Sequence, residues 1–183
     1  VHVRQSLYSL LEPGKKKGNV VNLLGFFSPL VGDCEIYDLL HSAGVKTIHE
    51  ISRCKDYMEY QTMSEANFNL VLHHEARFAA EDFHNRLQIP FIELRRLYQI
   101  DKIENQYHAL GNALGVAFCD EKYKKQAEDA LEKFRQKCPD ASFAIGECLN
   151  ADPFELSLAL IRYGFSVPEI YGTITVENFT YIR

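Results

Sequence analysis

The sequence predicts an α/β fold: a doubly wound, Rossmann-like parallel sheet with helices on both faces, followed by a β-α-β unit. Short apolar runs bounded by turn residues alternate with amphipathic helical patterns along the 183 residues. Apolar residues make up 46% of the chain, which is enough to bury a core. Because crossovers between parallel strands are right-handed, this alternation predicts a parallel sheet that is covered by helices on both sides.

Four apolar runs predict the strands of the first sheet, and each is short enough for a strand that is buried on both faces. They cover residues 20–25, 46–52, 68–72 and 90–94. Helical patterns cover residues 2–12, 33–43, 56–63 and 75–87, then a segment ending near Gly115 and residues 120–137. Asp33 is the predicted N-cap of the second helix, and Gly44 closes it. The predicted core positions of two helices are Phe78, Ala79, Phe83 and Leu87, and Tyr123, Ala127, Leu131 and Phe134.

A second unit is predicted after Cys138-Pro139. Residues 143–147 and 167–172 are its strands, residues 153–163 its helix, and another helix begins at Val176. One β-α-β unit cannot bury its own sheet, so it either adds to the first sheet, pairs with a second copy of the chain, or opens another domain. The predicted organisation is a helix and linker over 1–18, a Rossmann-like domain over 19–139, and a truncated second domain over 140–183.

Composition excludes several classes of protein. The net charge is −5 and the pI is about 5.8, which argues against nucleic acid or an anionic membrane as the partner. No run of 18 apolar residues is present. Five separated cysteines without a C-x-x-C pair predict neither disulfides nor a zinc knuckle, and reduced thiols predict a cytoplasmic protein. Both ends of the sequence look cut, so a piece of a longer protein is expected.

The first strand–helix turn, residues 25–33, reads GFFSPLVGD. It contains neither the G-x-G-x-x-G pattern of dinucleotide sites nor the G-x-x-x-x-G-K-[ST] pattern of NTPases. Phe26, Phe27 and Pro29 stand where a phosphate site would need glycine. The loop therefore predicts a packed connection, and we expect the chain to bind neither NAD nor ATP.

Open α/β sheets place their sites outside the carboxyl ends of the strands. The side chains predicted there include His73, Glu75, Arg95 and Arg96, with Phe26, Arg53, Cys54 and His74 on the same rim. Imidazole and carboxylate can bind a metal or move protons, and paired arginines suit a carboxylate or phosphate. The alternative is structural, with Glu75 capping the next helix and one histidine packing against it. Cys148 follows the fifth strand, where it could approach a cluster or simply be a small buried residue.

Three runs carry a resemblance to a known family: VNLLGFFSPLVGDCEIYDLLHSAGV, FNLVLHHEARFAAEDFHNRLQIPFIEL and IGECLNADPFELSLALIRYGFSV. Over residues 19–172 the chain resembles the middle domain, and the start of the third domain, of nitrogenase component 1 proteins. The resemblance implies a complete oxidoreductase with three Rossmann-like domains. It also implies iron–sulfur electron transfer, a homologous partner subunit and an ATP-dependent iron–sulfur reductase as electron donor.

The chain departs from the family at two places. Where cofactor-bearing members carry a cysteine ligand after the third strand, this chain has His73, followed by Glu75 and Ala76. Where they have a glycine-rich loop with arginine, it has the run from Glu147 to Asn150. Thiolates suit an iron–sulfur cofactor better than histidine and glutamate do, which argues against a true nitrogenase.

These features lead to one main hypothesis and two alternatives. The chain is expected to be part of a nitrogenase component 1-like oxidoreductase or metallocofactor-assembly subunit, to form one wall of a cofactor or substrate cavity, and to be inactive alone. No cofactor is expected in this piece; the complete complex would hold an iron–sulfur cluster, a tetrapyrrole or another metallocofactor, with His73 as the candidate metal ligand. The alternatives are a non-catalytic module that binds a tetrapyrrole or metallocofactor, and a purely structural partner subunit.

Overall fold

The computed structural model describes residues 2–147, 152–174 and 176–182. By its internal contacts the chain divides into two compact units. The first comprises Val1–Arg95 and Leu110–Phe118, and the second comprises Arg96–Ala109 and Cys119–Arg183. None of the described helices is long and apolar enough to cross a membrane.

The first unit contains a four-stranded parallel sheet, as the sequence predicts. Its strands are β1 (Val20–Leu24), β2 (Thr47–His49), β3 (Phe68–Val71) and β4 (Phe91–Glu93), in the order β2-β1-β3-β4. Every neighbouring pair is parallel. All residues of β1 and β3 are buried, which explains why these strands are apolar except for Asn22 and Asn69. The edge strands β2 and β4 are only partly buried.

Helices flank this sheet, and most of their predicted bounds hold to within a few residues. They are α1 (His2–Tyr8), α2 (Glu35–Ser42), α3 (Tyr57–Gln61) and α4 (Arg77–Leu87), with short 3₁₀ turns at Ile51–Arg53, Thr62–Glu65 and His74–Ala76; α5 (Ile100–Leu114) follows in the chain. Gly44 follows α2 with a φ of 86°, the left-handed conformation that glycine favours at this position.

One cluster of buried side chains fills the face of the sheet that α1, α3 and α4 cover. The rings of Tyr8 and Phe83 meet edge to face at 5.2 Å. Arg86 donates hydrogen bonds to the carbonyl oxygens of Tyr8 and Leu11, which satisfies backbone groups at the end of α1. Helix α1 ends at Tyr8, four residues before the predicted end at residue 12. Tyr8 and Leu11 nevertheless belong to the core of the first unit.

Two details of the predicted helices are wrong. Asp33 does not cap α2: the Cys34 N–H donates to the Val31 carbonyl at 3.0 Å, which closes a turn around Asp33, and Cys34 becomes the N-cap. Phe78 lies in the first turn of α4, which begins at Arg77, and it is 54% exposed rather than part of the core. Ala79, Phe83 and Leu87 are buried as predicted.

The second unit has its own two-stranded parallel sheet, β5 (Ser142–Gly146) and β6 (Ser166–Tyr171), which does not extend the first sheet. Its other elements are α6 (Glu121–Lys137), α7 (Pro153–Arg162), a 3₁₀ turn at Val176–Asn178 and α8 (Phe179–Ile182). The predicted core positions of α6 are wrong, since none of its residues is buried. Phe134 nevertheless contacts the rings of Phe143 and Phe165 at 6.2 and 5.5 Å.

A buried glutamate organises the second unit. Asp152 caps α7 by accepting from the N–H of Phe154 at 2.9 Å, and Glu155 follows in the first turn. The Glu155 carboxylate accepts from the Tyr98 N–H at 2.8 Å and from Gln99 Nε2 at 3.0 Å. These bonds compensate for burial of the charge and hold the segment before α5 in place.

Two asparagines lie side by side in the centre of the first sheet. Asn22 and Asn69 are paired residues of β1 and β3, and both are fully buried. Asn22 Nδ2 donates to Asn69 Oδ1 at 2.7 Å and to the Met63 carbonyl at 2.9 Å. Within the described part of the chain, Asn22 Oδ1 and Asn69 Nδ2 have no hydrogen-bond partner. The pair links two central strands but leaves two buried polar atoms unsatisfied.

We therefore expect the two asparagines to be energetically coupled. Asn22→Leu and Asn69→Leu should each lower the free energy of unfolding by about 1–3 kcal/mol, because each leaves the remaining amide with fewer partners. The double variant should lose less than the sum of the two. Urea unfolding of all four proteins measures this, with exposed Asn85→Leu as a control that should stay within about 0.5 kcal/mol of wild type. Additive losses would contradict the coupling.

The hydroxyl of Tyr60 should make the free energy of unfolding depend on alkaline pH. Its hydroxyl donates to the Leu7 carbonyl, and burial raises the pKa of Tyr60 from 10.0 to about 12. Because the pKa is higher in the folded chain, this stabilisation is fully present below pH 10 and is lost as the pH rises through about 12. Tyr60→Phe should cost about 1 kcal/mol at neutral pH and should lose less stability than wild type between these pH values. Urea unfolding across the pH range tests this, and equal losses for both proteins would contradict it.

Candidate functional site

The strand order places a ligand-binding position between β1 and β3. From β1 the chain moves to β2 on one side, and from β2 it crosses back to β3 on the other side. The connections after β1 and β3 therefore diverge, and open α/β sheets bind ligands in the crevice at such a switch point. The residues at the carboxyl ends of these two strands are Gly25 and Phe26 after β1, and Leu72 and His73 after β3.

The two strand ends approach each other closely at Gly25. The Leu72 N–H donates to the Leu24 carbonyl at 2.7 Å, which continues the β1–β3 ladder to its end. Gly25 then adopts a φ of +147°, and a Cβ atom added there would lie 2.8 Å from the His73 backbone nitrogen. Only glycine allows this approach without displacing the backbone, so Gly25 sets the position of His73.

His73 is half-buried and acts as the N-cap of the turn before α4. Its backbone is extended, and its Nδ1 accepts a hydrogen bond from the Glu75 N–H at 3.3 Å. A neutral imidazole that accepts at Nδ1 carries its proton on Nε2. The bond to the Glu75 N–H therefore assigns the ring proton to Nε2 and fixes the orientation of the imidazole at the end of β3.

Aromatic rings surround this imidazole. The Phe26 ring meets the His73 ring edge to face at 5.7 Å, and the His74 ring stacks on it at 4.5 Å with an interplanar angle of 26°. The two histidines are neighbours in the chain, yet their rings lie together. Phe27 and Val31 in the loop after β1 are 48% and 71% exposed, so this loop is not the packed connection that the sequence predicts.

The other predicted site residues are placed as follows. Glu75 lies in the turn after β3 and is half-buried; its backbone N–H, rather than its side chain, makes the contact with His73. The capping role considered for Glu75 thus falls to His73. Arg95 is exposed in the first unit, directly after Leu94, and Arg96 is the exposed first residue of the second unit. Cys148 lies outside the described residues.

Sequence reasoning missed a charged cluster at the carboxyl end of β2. Glu50 follows this strand directly and is only 6% exposed. Its carboxylate accepts from Arg53 Nε at 2.8 Å, from the Leu30 N–H at 2.9 Å and from the Tyr37 hydroxyl. Burial, with the bond to Glu50, raises the pKa of Tyr37. The only signal in the sequence was a glutamate close to the end of a predicted strand, which is weak because most such glutamates are solvated.

The described residues contain no complete set of ligands for an iron–sulfur cluster. No group of three or more His, Cys, Asp or Glu side chains with metal-binding geometry occurs in residues 2–147, 152–174 and 176–182. Burial raises the pKa of the Cys34 and Cys54 thiols, and the thiolate is the form that binds metals. The side chains that meet at the crevice are the His73 imidazole and the Phe26 ring, which suit an organic ligand better than an iron–sulfur cluster.

Comparison with known proteins agrees with this fold. Residues 2–163 match the family model described as nitrogenase component 1 type oxidoreductase, so the chain belongs to this family. The resemblance stated from the sequence is thereby confirmed. A comparison with curated protein sequences gives no match.

Two solved structures show the same architecture. The structure titled "Nitrogenase Cp1 at pH 6.5" aligns with a TM-score of 0.70 and 18% identity, over 98% of this chain and 44% of that chain. The structure titled "Nitrogenase Cp1 at pH 5" aligns with a TM-score of 0.56 and 17% identity, over 96% and 38% of the two chains. The chain thus spans less than half the length of these structures, and the low identity supports the fold alone.

The close approach at Gly25 gives a direct test of the crevice. Gly25→Ala should lower the free energy of unfolding by about 1–3 kcal/mol, because the added Cβ meets the His73 backbone and the φ is unfavourable for alanine. Gly32→Ala in the same loop is the matched control, since no atom lies within 4 Å of the point that a Cβ would occupy there. It should change stability by less than about 0.5 kcal/mol. Chemical denaturation compares the three proteins, and equal stability of both variants would contradict this geometry.

Proposed function

We propose that the chain forms one wall of a cofactor or substrate cavity in a nitrogenase component 1-like oxidoreductase or metallocofactor-assembly subunit. One observation carries this proposal: Phe26 after β1 and His73 after β3 meet at the switch point of the sheet. This position is where open α/β folds bind ligands. Family membership supports the class of the complete protein.

The side chains at the crevice favour a ligand with an apolar body and anionic oxygens. The imidazole of His73 can donate a hydrogen bond to a ligand, and the Phe26 ring lies beside it. A carboxylate accepts such a bond, and planar rings pack on aromatic side chains. A tetrapyrrole or an organic metallocofactor with carboxylate groups meets both requirements. Glu75, Arg95, Arg96 and Cys148 remain predicted contributors.

The electron-transfer chemistry would then belong to other parts of the assembly. The described residues offer no ligand set for a cluster, and the pKa values of Cys34 and Cys54 are raised by burial. We propose that a homologous subunit and further domains hold the cluster, with an ATP-dependent iron–sulfur reductase as electron donor. The chain alone would have no redox activity. The second candidate function is a non-catalytic binding module, because His73 and Phe26 could hold a ligand without any electron transfer.

The test uses the complete natural protein purified without oxygen, and it measures cofactor content by visible spectrum and metal analysis. His73→Ala should lower the bound cofactor about tenfold or more, since a hydrogen bond to a charged group contributes about 1.5–3 kcal/mol. The melting temperature should fall by only a few degrees, because the variant also loses the N-cap of the turn before α4, a contact that contributes about 1 kcal/mol. His108→Ala is the matched control because His108 is exposed on α5.

Each outcome separates the hypotheses. Reduced cofactor, with no greater loss of stability than the missing N-cap explains, supports His73 as a cavity residue. Loss of reductase activity in the same variant supports the oxidoreductase. Full cofactor content in the His73 variant would remove this residue from the cavity. Protein that carries cofactor but accepts no electrons would favour the binding module.

A further inference from the structure

The loop between β1 and α2, residues 26–34, is attached at its centre to the end of β2. The Leu30 N–H donates to Glu50 Oε2 at 2.9 Å, and the Leu30 carbonyl accepts from Arg53 Nη2 at 3.0 Å. Both backbone hydrogen-bonding groups of one loop residue are therefore held by side chains from another part of the chain. This contact does not depend on which side chain the loop carries at position 30.

The side chains that hold Leu30 also hold each other. Glu50 Oε1 accepts from Arg53 Nε at 2.8 Å and from the Tyr37 hydroxyl. Arg53 Nη2 donates to the Tyr37 hydroxyl oxygen at 3.3 Å, and the guanidinium lies 5.7 Å from the centre of the Tyr37 ring. Glu50 is buried while Arg53 is partly exposed, so the cluster is closed towards the sheet and open towards solvent.

The attached loop borders the crevice. At its start Phe26 contacts His73, and at its end Cys34 begins α2, the helix that carries Tyr37. The loop thus links the end of β1 to the end of β3 through Phe26 and to the end of β2 through Leu30, and it continues into α2 at Cys34. Between these contacts Phe27 and Val31 are partly and largely exposed, so the loop is not buried along its whole length.

We propose that Glu50, Arg53 and Tyr37 form a latch that fixes residues 26–34 and thereby positions Phe26 against His73. Glu50 is a positioning residue in this arrangement, because it acts on the crevice through the loop. The relevance of the latch to ligand binding rests on the proposed function, but its effect on the loop does not. An exposed ion pair would matter little to the fold, whereas a buried carboxylate that gathers three donors constrains the backbone it holds.

Hydrogen–deuterium exchange of the chain tests the latch without any ligand. Glu50→Ala should speed exchange of residues 26–34, the Leu30 amide above all, by at least about tenfold, because their local opening no longer breaks these bonds. Glu50→Gln keeps one acceptor and should give a smaller increase. Amides of β1 and β3 should keep their protection. Glu65→Gln is the matched control: it weakens the ion pair with Lys17 on another connection and should leave residues 26–34 unchanged.

A second variant keeps the test decisive if Glu50→Ala does not fold. Arg53→Met removes the exposed arginine and its bond to the Leu30 carbonyl, and it should speed exchange of the same loop. Unchanged exchange of residues 26–34 in the folded variants overturns the latch. An equal increase across β1, β3 and the loop also overturns it, since that result indicates global destabilisation. The cofactor test on His73 is independent, so either proposal can fail while the other stands.

Discussion

The close pairing of β1 with β3 is the constraint on which the first unit depends. These two strands are the centre of the sheet, and all of their residues are buried. Their ladder continues to the Leu24–Leu72 hydrogen bond and ends at Gly25, where a side chain would meet the His73 backbone. Core packing on one face and the crevice at the strand ends both follow from this contact. The position of His73 is therefore a property of the backbone as much as of the turn that it caps.

The sequence predicted the parallel sheet well because buried strands carry a strong signal. Short runs that are apolar except for one asparagine predicted β1 and β3, and each observed strand ends one residue before its predicted end. The pattern of α6 was equally regular, yet an amphipathic stripe does not reveal whether another element covers it. The order of the strands could not be predicted from the sequence, because right-handed crossovers are compatible with several strand orders. The switch point between β1 and β3 came only with the structure.

Prediction of the site failed where a strand boundary was misplaced. The sequence predicts a strand that runs through Ser52 and therefore places Arg53 and Cys54 at its end. In the structure β2 ends at His49, and Glu50 is the first residue beyond it. Edge strands are only partly buried, so their ends leave a weak hydrophobic pattern. Contacts such as Glu50 with Leu30, or Gly25 with His73, join residues that are distant in the chain, and no local pattern encodes them. His73 lies at the strand end where the sequence predicts it, because it follows the apolar strand β3 after one residue, and its role in a site stays a prediction.

The two-stranded sheet has a consequence for handling the chain in solution. Within the described residues, β5 and β6 pair only with each other, so each has one edge without a neighbouring strand. β6 is almost entirely exposed and includes Ile170 and Tyr171. Edges of this kind are templates for strand addition, and natural proteins protect them with charges, bulges or a covering segment. Pro168, Glu169 and the irregular pairing of β5 with β6 supply part of this protection, so strand addition at high concentration would be confined to the exposed end of β6 at Ile170 and Tyr171.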